Sequence, residues 1–153
     1  MKRVIVCLAV GTSALFGFSS AAWAATGTEN LTFFARDDQP ATIFATGPIT
    51  GVGQSVETGP DTETDVFPEG TIDVVHPVTS ESDSFDPVAC VVRARFSGTY
   101  TVTGGTGAFA GASGSGTFSG QFIGILGRTA EGCSEEPVES FSFVHASGPL
   151  TIP

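Results

Sequence analysis

The stretch that decides the fold runs from Tyr100 to Gly120 and reads Tyr-Thr-Val-Thr-Gly-Gly-Thr-Gly-Ala-Phe-Ala-Gly-Ala-Ser-Gly-Ser-Gly-Thr-Phe-Ser-Gly. A strand runs into a glycine-dense turn that holds one aromatic residue, Phe109, and a second strand leaves it. Upstream, Cys90, Val92, Ala94, Phe96, Gly98, Tyr100 and Val102 share one parity, with Arg93, Arg95, Ser97, Thr99 and Thr101 on the other. Downstream the pattern resumes as Gly116, Phe118, Gly120, Phe122, Gly124 and Leu126 against Ser115, Thr117, Ser119 and Gln121. Period-2 alternation marks half-buried strands. A glycine between phenylalanines on one face leaves room for a neighbouring ring and lets the strand coil, as a small barrel requires.

No window after residue 24 carries apolar residues at helical spacing. The chain is rich in Thr, Val, Phe and Ile, cut by Gly, Pro, Asp and Ser clusters, the pattern of an all-β domain. Strands are predicted at Leu31–Arg36, Thr42–Ala45, Ile49–Glu57, Gly70–Val78, Ala89–Val102, Gly114–Leu126 and Ser140–Ile152, with a further short one at Thr62–Phe67. Several are long, and long twisted antiparallel strands favour closure into a barrel. Acidic residues gather at Asp61, Glu63 and Asp65, at Glu81, Asp83 and Asp86, and at Glu131, Glu135, Glu136 and Glu139. These read as exposed loops, with a mobile tip at Thr79–Pro87.

The 153 residues suffice for one domain. Residues 1–24 read as a signal peptide: Lys2 and Arg3, an apolar run from Val4 to Phe18, then Ala22-Trp23-Ala24 as the cleavage signature. An uncleaved anchor would need about 20 apolar residues without such a site. The domain is then 25–153, and the expected location is secreted or periplasmic. It keeps four arginines and no lysine against 16 acidic residues, a net charge of −12. Such a surface disfavours nucleic acid and anionic membranes. Cys90 and Cys133 remain as a pair, expected to form a disulfide in an oxidising compartment. Closing that loop is worth about 4 kcal/mol by chain entropy. Zinc is the competitor, but two Cys and two His without paired spacing make a poor site.

No cofactor motif survives inspection. Gly105-Thr106-Gly107-Ala108-Phe109-Ala110 fits G-x-G-x-x-A, but no helix follows to hold a pyrophosphate. A P-loop needs a lysine that the domain lacks. Asp61-Thr62-Glu63-Thr64-Asp65 begins like an EF-hand, yet Val66 and Ile72 stand where Gly and Glu are required. What remains there is a weak calcium-stabilised loop. No Gly-x-Ser-x-Gly elbow occurs. His76 shares parity with Ile72 and Val74, and His145 with Phe141 and Phe143. Both histidines are therefore expected to face the interior, as is Tyr100. They are candidates for proton transfer on an apolar substrate. Their plainer reading is as interior or rim histidines satisfied by backbone or water.

The turn residues Gly104, Gly105, Gly107, Phe109, Gly111 and Gly114, preceded by Phe96-Ser97-Gly98-Thr99-Tyr100, resemble the Gly-Gly-Thr/Ser-Gly-x-Phe-x-Gly-Ala-x-Gly corner of the allene oxide cyclase and dirigent barrels. The resemblance implies a closed, eight-stranded antiparallel barrel with a central cavity, often a trimer. Its members include cyclases of unsaturated fatty-acid epoxides, proteins that steer phenoxy-radical coupling, and polyketide cyclases. No catalytic residue of those families maps onto this chain, and the exported address departs from the plant cyclases. The expected role is therefore a small-molecule-binding or structural module, more a binder than an enzyme. The alternative is a cyclase or isomerase in which His76 and His145 exchange protons and Tyr100 orients a carbonyl or hydroxyl. A calcium-dependent surface protein is the third reading.

Overall fold

The predicted strands reappear in the computed structural model, which describes residues 24–153, except that the one expected at Gly70–Val78 stops at Val75; the proposed leader, apart from Ala24, lies outside the described residues. Nine strands follow one another: β1 (Ala25–Arg36), β2 (Ala41–Thr46), β3 (Gly51–Gly59), β4 (Thr62–Phe67), β5 (Gly70–Val75), β6 (Val78–Asp86), β7 (Val91–Gly105), β8 (Ser113–Thr129) and β9 (Gly132–Ile152). All pairings are antiparallel, in the order β5-β4-β3-β2-β1-β9-β8-β7-β6, and β5 also pairs with β7. That last pairing closes an eight-stranded barrel and leaves β6 outside it.

The odd strand follows from a break at His76-Pro77. Proline has no N–H to give to a ladder, and the His76 N–H turns aside to Asp61 O at 2.8 Å. Before the break β5 pairs with the later part of β7; after it β6 pairs with the earlier part, from Val78 opposite Gly98 to Asp86 opposite Val91. The segment Thr79–Pro87, expected as a mobile loop, is thus mostly strand. It is exposed along its whole length, and its acidic side chains suit a bare edge that must not recruit another chain. The acidic residues Glu135, Glu136 and Glu139 likewise belong to a strand, β9.

This flap is tied at its far end. Asp86 Oδ1 accepts from the N–H groups of Val88 and Ala89, each at 2.9 Å, and those bonds hold its carboxyl below the usual range, helped by the charge of Arg93. Cys90, buried and in a left-handed backbone (φ 55°), is bonded to Cys133 at the β8–β9 turn. The bridge is consistent with an oxidising compartment. No helix among the described residues is long and apolar enough to cross a membrane.

The glycine-rich corner closes the other end of the barrel. Thr106 N donates to Thr71 O and Ala108 N to Glu69 O, both at 2.9 Å, which docks the corner on the β4–β5 turn. A single 3-10 turn spans Gly107–Phe109. Gly107 (φ 60°) and Gly111 (φ 82°) take left-handed backbone on either side of Phe109, conformations that favour glycine. Phe109 is buried and meets the Phe67 ring edge-on at 5.8 Å. Together with Ala112 and Ile152 these rings belong to the hydrophobic core.

Candidate functional site

Three cross-strand pairs build one wall of the interior: Phe96 with Gly120, Gly98 with Phe118, and Tyr100 with Gly116. Each inward ring lies over a glycine of the neighbouring strand. A Cβ on Gly120 would stand 2.7 Å from the Phe96 ring, one on Gly98 2.6 Å from Phe118, and one on Gly116 2.6 Å from Tyr100. Real Cβ contacts do not come that close, so the alternation of glycine and aromatic is a space requirement. Beside these rings, β9 presents the smaller residues Ser142, Val144 and Ala146 to the interior.

The barrel is not filled. A cavity of about 640 Å³ runs from the buried Ile49, Ile72 and Leu150 to the exposed Asp37–Pro40 turn and Glu57, where it meets the surface. Phe33, Phe96, Phe118 and Phe122 give it apolar walls. Its size is that of an ordinary small-molecule site.

The opposite wall carries acids. Asp61–Asp65, expected as an exposed loop, enters strand β4, whose odd positions Glu63, Asp65 and Phe67 face inward while Val66 is exposed. Asp65 is 1% exposed and sits across from Ser55. The Ser55 hydroxyl donates to Glu63 Oε2 at 2.6 Å. One hydroxyl has one proton to give, and Asp65 Oδ1 has no hydrogen-bond partner. Burial, and then the Glu63 charge, push the Asp65 carboxyl well above its usual range, with Ser55 pulling weakly the other way. His76, the next inward residue after Val74, brings Nε2 to 3.9 Å from Glu63 Oε2, beyond hydrogen-bonding reach, and that nitrogen is also without a partner. Its ring stands edge-on to Phe118 at 6.1 Å.

A second polar station lies on β1. Glu29 is 2% exposed; Oε2 accepts the Ile49 N–H at 2.8 Å, and Oε1 has no partner. Burial raises its carboxyl above the usual range, against the lowering effect of the backbone N–H of Ile49, which it binds, and of those of Thr46 and Asn30 nearby. Tyr100, 7% exposed, is raised by burial and then by the charge of Glu29.

The structure brings His76 and Tyr100 to the cavity and leaves His145 outside. His145 is exposed on the outer surface, between Thr32 of β1 and Ser119 of β8, beside Arg95 and Gln121. The expectation that it faces inward takes Phe141 and Phe143 for core residues. They are outward: Phe143 is 48% exposed and pairs with Phe34, and Arg36 lies over the Phe141 ring at 5.8 Å. The inner side of β9 is small because the rings of β8 occupy the space. Arg93 and Arg95 are exposed on the outer face.

Sequence reasoning does not single out Glu29, Ser55, Glu63 or Asp65 for the interior. One signal points there: in Thr62–Phe67 the acids share parity with Phe67. Among the described residues no group of three or more His, Cys, Asp and Glu is arranged to hold a metal ion. No protein family, curated protein or solved structure matches the chain.

Proposed function

We propose that this protein is an exported barrel that binds an apolar small molecule in its interior, without chemistry. The observation that carries this reading is the 640 Å³ cavity, walled by phenylalanines and reaching the surface at the Asp37–Pro40 turn. The corner at Gly104–Gly114, with its likeness to the allene oxide cyclase and dirigent barrels, supports the same reading, since those barrels hold their ligands inside. The leader-like residues 1–24 and the Cys90–Cys133 bridge support a secreted or periplasmic location.

The test uses N-phenyl-1-naphthylamine, a neutral apolar dye whose fluorescence rises on leaving water. Ala35 and Ser142 line the cavity near its open end, so Ala35→Trp and Ser142→Trp should obstruct it. The wild type should bind the dye, and both variants, folded by circular dichroism, should lose at least tenfold in affinity. Equal binding by the obstructed variants would move the site out of the barrel and end the proposal.

A second reading is favoured by His76 and Tyr100 sharing the cavity, with Glu63 3.9 Å from His76. It is a cyclase or isomerase whose proton-transfer groups are His76 and Glu63, with Tyr100 orienting the substrate. Unchanged ligand affinity and unchanged turnover in His76→Ala would dispose of it.

A further inference from the structure

We infer that the interior site takes a protonated amine carried on an apolar body. This rests on the binding reading above and names the ligand class for it.

Six carboxyl residues line the cavity: Asp37, Asp38 and Glu57 at its exposed mouth, and Glu29, Glu63 and Asp65 deeper in the wall. Two of them are solvent-excluded and each has an oxygen, Glu29 Oε1 and Asp65 Oδ1, with no hydrogen-bond partner. Buried acceptors without donors are costly, and a structure that keeps them has a reason to. The protein sets no arginine or lysine against them, and the one imidazole on this wall, His76, stops 3.9 Å from Glu63 Oε2. Arg36, Arg93, Arg95 and Arg128 are all exposed on the outer surface, and residues 24–153 contain no lysine. Across the ladders from Asp65 stand Ser55, whose proton goes to Glu63, and Ile72, which has no side-chain proton to give. The donor and the positive charge missing from this wall are what an ammonium group brings.

The rest of the cavity fits the remainder of such a ligand. Phe96 and Phe118 offer aromatic faces to an apolar chain or ring, and aromatic faces also tolerate a cation. A ligand with a carboxylate head meets three acids and no arginine, so the site repels it. The raised range of the Asp65 and Glu29 carboxyls agrees: each is an acid short of a counter-charge.

The experiment is displacement of N-phenyl-1-naphthylamine at pH 7.5 by decylamine, decanol and decanoate, all below their micelle concentrations. Decylamine should displace the dye at least 30-fold more tightly than decanoate, with decanol between them. Glu63→Gln and Asp65→Asn should each cost the amine about tenfold relative to decanol bound by the same variant; Glu29→Gln is the parallel variant should either fail to fold. Ala35→Trp and Ser142→Trp, which no longer hold the dye, should abolish amine binding measured directly by isothermal titration calorimetry, which separates the interior site from loose attraction to an acidic exterior. Decanoate binding as well as decylamine while the dye binds normally would overturn the inference and leave the barrel-binding reading standing. So would amine binding that survives both the charge-removing and the obstructed variants. Binding of none of the four probes would overturn both.

Discussion

Two walls of the same cavity are built on opposite rules. Along β7 and β8, inward positions alternate ring and glycine, each ring seated on a glycine across the ladder. That wall is sterically saturated, so its information lies in volume. Along β3 and β4, the inward positions include Ser55, Glu63 and Asp65. Their side chains are under-satisfied: the one hydroxyl proton goes to Glu63, and Asp65 Oδ1 is left without a donor. The first wall specifies the barrel. The second costs it stability and leaves a place where a ligand can add what is missing.

The sharpest way to break the packed wall is Gly116→Ala. The new Cβ would fall 2.6 Å from Tyr100 and against the backbone of Ser147 and Gly148, which has no rotamer to give way. A loss of about 3 kcal/mol is expected in urea unfolding of the mature domain. A loss under about 0.5 kcal/mol would mean that the ring–glycine seating is incidental. Gly120 permits a finer test, because the closest atoms to its absent Cβ belong to side chains, Phe96 and Val144. Gly120→Ala should destabilise the wild type, and Phe96→Leu should recover part of that loss. A double-mutant cycle should show a coupling of about 2 kcal/mol. Strict additivity would show that the pair does not share space.

The packed wall is legible in the sequence for the same reason that it is fragile. Strict alternation of rings and glycines suits a close-packed, coiled strand pair and little else, so the parity of β7 and β8 can be read directly. The closed barrel follows from strand lengths and from the corner around Phe109. The acidic wall is hidden by composition. Asp and Glu are depleted in strands, so Asp61–Asp65 reads as loop even though Thr62–Phe67 has the pattern of a short strand and Phe67 shares the acids' parity. On β9 the usual inference that aromatics face the core points the wrong way. The volume inside is already taken by β8, and Phe141 and Phe143 find partners in Arg36 and Phe34 on the outer surface. The flap strand β6 is invisible to periodicity because neither of its faces is buried.

The acidic wall should respond to charge removal with the opposite sign. Asp65 keeps its proton above the pH at which the unfolded chain releases it. Over that window the folded state binds more protons than the unfolded state, so stability falls as pH rises. Glu29 acts with the same sign. Asp65→Asn removes the larger contribution. It should match the wild type near pH 3, below the pH at which the unfolded chain releases this proton, and exceed it by about 1 kcal/mol at pH 8. Thermal unfolding at the two pH values reads this directly. A variant less stable than wild type at pH 8 would show that Asp65 is satisfied in a way its environment does not display.

The smallest effect belongs to Glu29→Gln, and it also tests whether the two walls communicate. Glu29 Oε2 holds the Ile49 N–H, a bond that the amide oxygen of glutamine can keep, so stability should move by less than about 0.5 kcal/mol. The informative change is at Tyr100, which stands on the packed wall but is raised in part by the charge of Glu29. Tyr100 is the only tyrosine of the chain, and the single tryptophan, Trp23, belongs to the proposed leader. The tyrosinate absorbance of the mature domain therefore titrates one residue. In Glu29→Gln its midpoint should move down toward, but not reach, the usual tyrosine value, because burial is the larger cause and remains. A midpoint that does not move would mean that the Glu29 charge is screened from Tyr100, and the acidic and aromatic walls would then act on a ligand separately. A midpoint that falls links them, so that a cation beside Glu29 would also be registered by the tyrosine across the cavity.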